Sequence, residues 1–143
     1  MSEKSKKFIA VIFKILLIIL AFVWSFFMVS MTGAGLIFNR ESYGSYIMQT
    51  GVLFIVSGVL MFSGTVLCLF RKRVTNIISV IFLFTGFVLC MAMLSRLVDH
   101  ADRNGWGYNF IPVSDMYRRR ITPVIVPCFL SVVNAMRNCF SRK

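Results

Sequence analysis

Two apolar runs of 24 residues each, Ile47–Phe70 and Val74–Leu97, are separated only by Arg71, Lys72 and Arg73. The one charge inside them is Arg96, next to the end of the second run. A helix rises about 1.5 Å per residue, so about 20 apolar residues cross a hydrocarbon layer about 30 Å thick. Three cations leave no room for a soluble connection. The pair reads as a membrane hairpin, and the rest of the chain has to be fitted to it.

The chain of 143 residues is 58% hydrophobic, above the roughly 45–50% apolar content of soluble domains. No stretch is long and polar enough to form a separate water-soluble domain. Residues 1–143 therefore read as a single transmembrane domain with spans near 9–34, 47–70, 74–97 and 121–140. The expected fold class is all-α. It is an integral membrane four-helix bundle with a short, marginal fourth helix and an outer interfacial loop between helices 3 and 4.

The first span follows a short basic start that includes Lys4, Lys6 and Lys7. Its apolar run reaches about Phe38, interrupted only by Lys14. That is far longer than the roughly 7–15 residue core of a cleaved signal peptide, so the span is expected to be retained. Lys14 lies near enough to the start to snorkel back to the basic side. Gly33 and Gly35 are expected to mark where this helix loosens. For the third span, Thr75 or Asn76 is the expected N-cap. Ser114 and Asp115 can cap a short helix leading to Arg118, Arg119 and Arg120. Thr122 and Pro123 then read as the N-cap and first residue of the fourth span, because proline lacks a donor where none is needed. Its apolar run, Ile121–Met136, reaches about 24 Å as a helix, and about 30 Å if it continues to Phe140 with Arg137 snorkelling.

Small residues follow a pattern. Gly51, Gly58 and Thr65 recur every seven residues, beside a second seven-residue pair, Ser57 and Gly64. Seven residues is nearly two turns, so each set lines one strip of the helix. Ser79 and Gly86, also seven apart in the third span, are placed to meet it. In lipid, small residues let helices approach closely. Gly51, Gly58, Gly64 and Gly86 are accordingly the expected packing positions.

The formal net charge is +11. Its cations sit at the ends of apolar runs, with no polar face to display a basic patch, so nucleic acid is not an expected partner. The expected partners are the bilayer, its anionic headgroups, and a membrane-protein partner or a second copy of the chain. With both termini inside and four spans, Lys4, Lys6, Lys7, Lys14, Arg71, Lys72, Arg73, Arg137, Arg142 and Lys143 face the cytoplasm and six arginines face out. With three spans the last three change sides and the outer count leads. The positive-inside rule therefore favours four spans in a plasma membrane, both ends cytoplasmic.

Chemistry is sparse. Trp106, Tyr108 and Phe110 alternate with Gly107 and Asn109, which predicts an extended segment with three rings on one side. With Arg118, Arg119 and Arg120 they are the candidate lipid or partner contacts. Arg96, Asp99, His100, Asp102 and Arg103 form the densest polar cluster. On a continuing helix Asp99 and Arg103 are placed to pair at i,i+4, and Arg96 reaches Asp99 and His100. One His and two Asp, one of them neutralised by arginine, are too few for a metal site, and no nucleophile or second acid at a fixed distance is evident for a catalytic dyad. Cys68, Cys90, Cys128 and Cys139 lack motif spacing and read as buried free thiols. Asn134, the deepest strong polar group of the fourth segment, is expected to bond a neighbouring helix. No Asp or Glu lies mid-span, which counts against a proton-coupled carrier. No catalytic residue, metal or cofactor is assigned. The leading expectation is a small non-enzymatic membrane protein of accessory, scaffolding or regulatory type. The alternatives are an oligomeric pore, holin-like or small-channel-like, and an enzyme using the 96–103 cluster.

Overall fold

A computed structural model describes residues 3–39, 41, 44–70, 72–105 and 113–140, without the side chains of 27, 28, 113, 114, 116–124 and 140. It is all-helical, with no strand among the described residues. The first helix, α1, covers Glu3–Phe38. Then follow α2 (Ser45–Leu67), α3 (Arg73–Arg103) and α4 (Val113–Phe140). By length and composition α1, α2 and α3 could each cross a membrane. In α4 the apolar part, Ile125–Cys139, is shorter.

The connection between α2 and α3 is as tight as the sequence demands. Cys68, Leu69 and Phe70 close it with backbone bonds to Gly64, Val66 and Leu67. Neither Thr75 nor Asn76 is the N-cap of α3. That position is Lys72, which makes no side-chain cap bond. Thr75 Oγ1 donates to the Lys72 carbonyl at 2.8 Å, and Asn76 Nδ2 donates to Phe70 and Lys72 carbonyls at 2.8 and 2.7 Å. The side chains one turn into the helix therefore serve the turn's carbonyls rather than capping the first amides of α3.

Serine and glycine carry the contact between α2 and α3. Ser57 Oγ donates to the Gly86 carbonyl at 2.7 Å, and Ser79 Oγ donates to the Gly64 carbonyl at 2.6 Å. Each glycine is thus approached by the other helix. A Cβ on Gly64 would lie 2.7 Å from Leu83 Cγ, and one on Gly86 would lie 2.8 Å from Met61 Cγ. Phe54, Met61, Leu83, Cys90, Leu94 and Leu97 fill the centre.

Gly51 and Gly58 face α1 instead. Gly51 packs backbone to backbone on Gly33, so that a Cβ on Gly51 would stand 2.6 Å from the Gly33 carbonyl oxygen. Gly58 packs on Ser30, and a Cβ there would lie 2.5 Å from the Ser25 carbonyl oxygen. Thr65, the third member of that sequence repeat, faces α4, where its Oγ1 lies 2.9 Å from Ser131 Oγ. A seven-residue repeat drifts around a straight helix. The strip therefore serves two neighbours rather than one groove.

The expected loosening at Gly33 and Gly35 is displaced. Helix continues to Phe38, and the irregular part lies earlier, as a π-helical stretch over Phe22–Ser30. Ser30 Oγ reaches back to the Ser25 carbonyl at 3.0 Å and occupies an acceptor there. The widened coil brings Ser25 and Ser30 against Gly58. The expected fresh start of a helix at Thr122 and Pro123 is also absent, because α4 runs unbroken from Val113. Each proline withholds a donor from the turn before it. Further on, Ser131 Oγ donates to the Pro127 carbonyl at 2.7 Å.

Neighbouring helices in sequence run antiparallel. α4 runs alongside α2 in the same direction, through Met61 with Cys128 and Thr65 with Ser131. Leu17 of α1 packs with Cys68 and Ala135, so α4 also meets α1. The outer faces are apolar: Phe8, Phe84 and Phe129 are each about two-thirds exposed.

The glycines separate into tight and open positions, and substitution should sort them. Gly51→Ala is expected to destabilise the detergent-solubilised chain by about 1–3 kcal/mol through overpacking. Gly35→Ala, where the added methyl meets open space, is expected to be neutral or to stabilise by up to about 1 kcal/mol. Unfolding titrations of the two variants check both.

Candidate functional site

Helix α3 has 31 residues, about 46 Å at 1.5 Å per residue. It outruns its apolar stretch, and the excess projects as two polar turns after Leu97. Two features end it. Asn104 Nδ2 donates to the His100 carbonyl at 2.7 Å, and Gly105 takes a φ of +66°, which glycine adopts without strain. Leu97 and Ala101 face inward and are fully buried, which fixes the rotation of these turns. Arg96, Asp99, His100 and Arg103, at i, i+3, i+4 and i+7, then share the neighbouring face.

The start of α2 lies opposite. Gly44, with φ +88°, turns the chain into that helix. Ile47 is buried and anchors the first turn, leaving Tyr46 beside α3. Arg96 Nε donates to the Tyr46 hydroxyl oxygen at 3.0 Å, and its guanidinium carbon lies 5.0 Å from the Tyr46 ring centre. The His100 ring stacks on Tyr46 with centroids 5.7 Å apart and planes inclined by 29°. Tyr46, Arg96, Asp99, His100 and Arg103 line a recess of about 400 Å³. The expected pairing along the helix is not adopted. Among the described residues, neither Arg96 nor Arg103 forms an ion pair with Asp99. Arg96 is drawn across to Tyr46, whose ring and hydroxyl engage a guanidinium at two points.

Beside the His100 ring, the recess holds two guanidiniums and one carboxylate. Such a set can grip an oxyanion bidentately and has a separate acceptor for a cation. No group of three His, Cys, Asp or Glu side chains converges as a metal site among the described residues.

A second polar assembly sits at the other end of the hairpin. Asn134 Nδ2 and Asn138 Nδ2, from α4, both donate to the Cys68 carbonyl at 3.0 Å. Asn138 Nδ2 also lies 3.5 Å from Asn76 Oδ1. With the Thr65 and Ser131 hydroxyls, these amides form a seam that fastens α4 to the α2–α3 turn. Cys68, Cys90 and Cys128 are buried and Cys139 is half-buried, all as free thiols. Cys68 Sγ contacts the Thr65 carbonyl, and Cys128 Sγ lies 3.4 Å from Met61 Sδ.

Of the candidate lipid or partner contacts, Trp106, Tyr108 and Phe110 lie outside the described residues. Arg118, Arg119 and Arg120 fall within α4, with their side chains outside the description. The sequence missed the role of Tyr46 in the recess, because 50 residues separate it from Arg96. The only trace was a tyrosine at the end of one apolar run and an arginine at the end of the next. Comparison of the chain with family models, curated proteins and solved structures gives no match.

If the amide seam fastens α4, Asn134→Leu with Asn138→Leu should loosen it while the α2–α3 contact persists. The expected loss is about 1 kcal/mol per hydrogen bond removed. Hydrogen exchange should rise over 125–139 and stay unchanged over 52–66.

Proposed function

We propose that this chain is a small polytopic membrane protein that acts without enzymatic activity, as an accessory, scaffolding or regulatory component. It lies in the plasma membrane as a four-helix bundle, both termini cytoplasmic, with α4 as the short fourth span. The observation that carries this reading is the contrast between outside and inside. Large apolar side chains face outward on all four helices. Inside, among the described residues, no buried side-chain nitrogen or oxygen lacks a hydrogen-bond partner. Transport along the axis of one copy would need polar groups available to a solute, and these are engaged with one another. An exposed apolar belt with a packed interior suits a protein whose activity lies in what it holds beside it. The anionic headgroups around it and a membrane-protein partner or second copy remain the proposed partners.

Two measurements test this. Chain reconstituted in liposomes should pass no more ions or dye than empty vesicles. Steady flux would favour the oligomeric pore and overturn the accessory reading. Cys139 is the most exposed thiol, so a membrane-impermeant maleimide should label the wild-type chain in inverted vesicles and not in intact cells. Labelling from outside would place the C-terminus on the other side and remove α4 as a span.

A further inference from the structure

The recess between the start of α2 and the last turns of α3 has features that a plain solvated helix end does not need. An ion-paired end would place the Asp99 carboxylate on Arg103 at i,i+4. Here Arg96 lies against Tyr46 instead, with one Nε bond and contact with the ring. Asp99 and both arginines line an open space of about 400 Å³, within the roughly 300–1,000 Å³ of small-molecule sites. A guanidinium carries five N–H donors, of which Tyr46 takes one from Arg96. Among the described residues no other hydrogen bond engages that guanidinium, which leaves its remaining donors to oxygen acceptors. Along α3 the charges alternate, positive at Arg96, negative at Asp99 and positive at Arg103, about one turn apart.

A bare phosphate fits Arg96 and Arg103 but meets repulsion at Asp99. A quaternary ammonium beside a phosphate neutralises Asp99 but cannot donate to it. A primary ammonium beside a phosphodiester answers every group. Its phosphate oxygens take the guanidinium N–H groups, and its N–H groups meet the Asp99 carboxylate. The recess also begins where the apolar run of α3 ends, which is headgroup depth if the helices span.

From this we infer that Tyr46, Arg96, Asp99, His100 and Arg103 form the headgroup site of an aminophospholipid, with the phosphodiester on the arginines and the primary ammonium on Asp99. The inference rests on the membrane reading above. It adds a lipid class and names the residues that select it.

The test is native mass spectrometry of the full chain released from nanodiscs of phosphatidylcholine containing equal parts of phosphatidylethanolamine and phosphatidylglycerol. Retained phosphatidylethanolamine is expected to exceed each of the other two by about tenfold, the scale of one charge-assisted hydrogen bond. Asp99→Asn should reduce it to the phosphatidylcholine level. Arg96→Gln should reduce retention of all three lipids. Among the described residues Asp99 makes no hydrogen bond or ion pair, and helix content measured on each variant checks that the chain stays folded. Equal retention of phosphatidylglycerol and phosphatidylethanolamine would overturn the inference, as would an Asp99→Asn variant with unchanged preference. Soluble glycerophosphoethanolamine distinguishes the source of the group. No displacement supports the lipid, and displacement at millimolar concentration assigns the recess to a free aminoalkyl phosphate and overturns the lipid assignment. A chain that fails to enter bilayers overturns the membrane reading and this inference together. A chain that enters them without lipid preference overturns this inference alone.

Discussion

An apolar helix packed against another apolar helix gains little from hydrophobicity once its surroundings are apolar too. What remains is close approach and the satisfaction of polar atoms. The α2–α3 contact meets both conditions at once. Ser57 bonds the carbonyl of Gly86, and Ser79 bonds the carbonyl of Gly64. Each bond requires a glycine, because a side chain at either position would hold the helices apart. Each bond also satisfies a hydroxyl that would be costly to bury alone. The other helices assemble on this pair.

The contact of α1 with α2 uses a different device. Gly33 and Gly51 meet backbone to backbone, and one π-helical stretch in α1 brings Ser25 and Ser30 up to Gly58. A π stretch adds residues without adding turns, so it shifts the register of everything after it. In a regular helix Ser25 and Ser30, five residues apart, would fall on different sides. The irregularity is therefore part of how both serines reach one glycine. At the opposite end of the hairpin, the shortness of the α2–α3 turn leaves carbonyls exposed to the interior. The asparagines of α3 and α4 meet them, which links a local feature of the turn to the docking of the last helix.

The recess depends on the same framework. Its two sides come from the start of α2 and the end of α3, so the antiparallel pairing of these helices places Tyr46 beside Arg96 and His100. The alternating charges on α3 were readable from spacing alone, given a continuing helix. The choice of Tyr46 over Asp99 as the partner of Arg96 was not. Spacing reports which groups share a helix face, but not which neighbour offers a better acceptor across an interface. Likewise Asn134 could be read as a helix-to-helix donor, whereas its acceptor, the Cys68 carbonyl, depends on how the turn closes.

The sequence by itself determined the helical class and the reach of the long apolar helices. Runs of more than 20 apolar residues leave the backbone no better way to satisfy its own donors and acceptors. It also determined that glycine and serine would recur on defined strips. Tertiary structure decided which helix each strip meets. Gly51 and Gly58 went to α1, Gly64 to α3 and Thr65 to α4. It decided where α1 departs from regularity and that α4 runs through its prolines. The hairpin of Ile47–Leu97 was fixed early because its signal is one-dimensional, a count of apolar residues between charges. Partner choice is three-dimensional, set by rotations of a few tens of degrees per helix and by which donors reach which carbonyls.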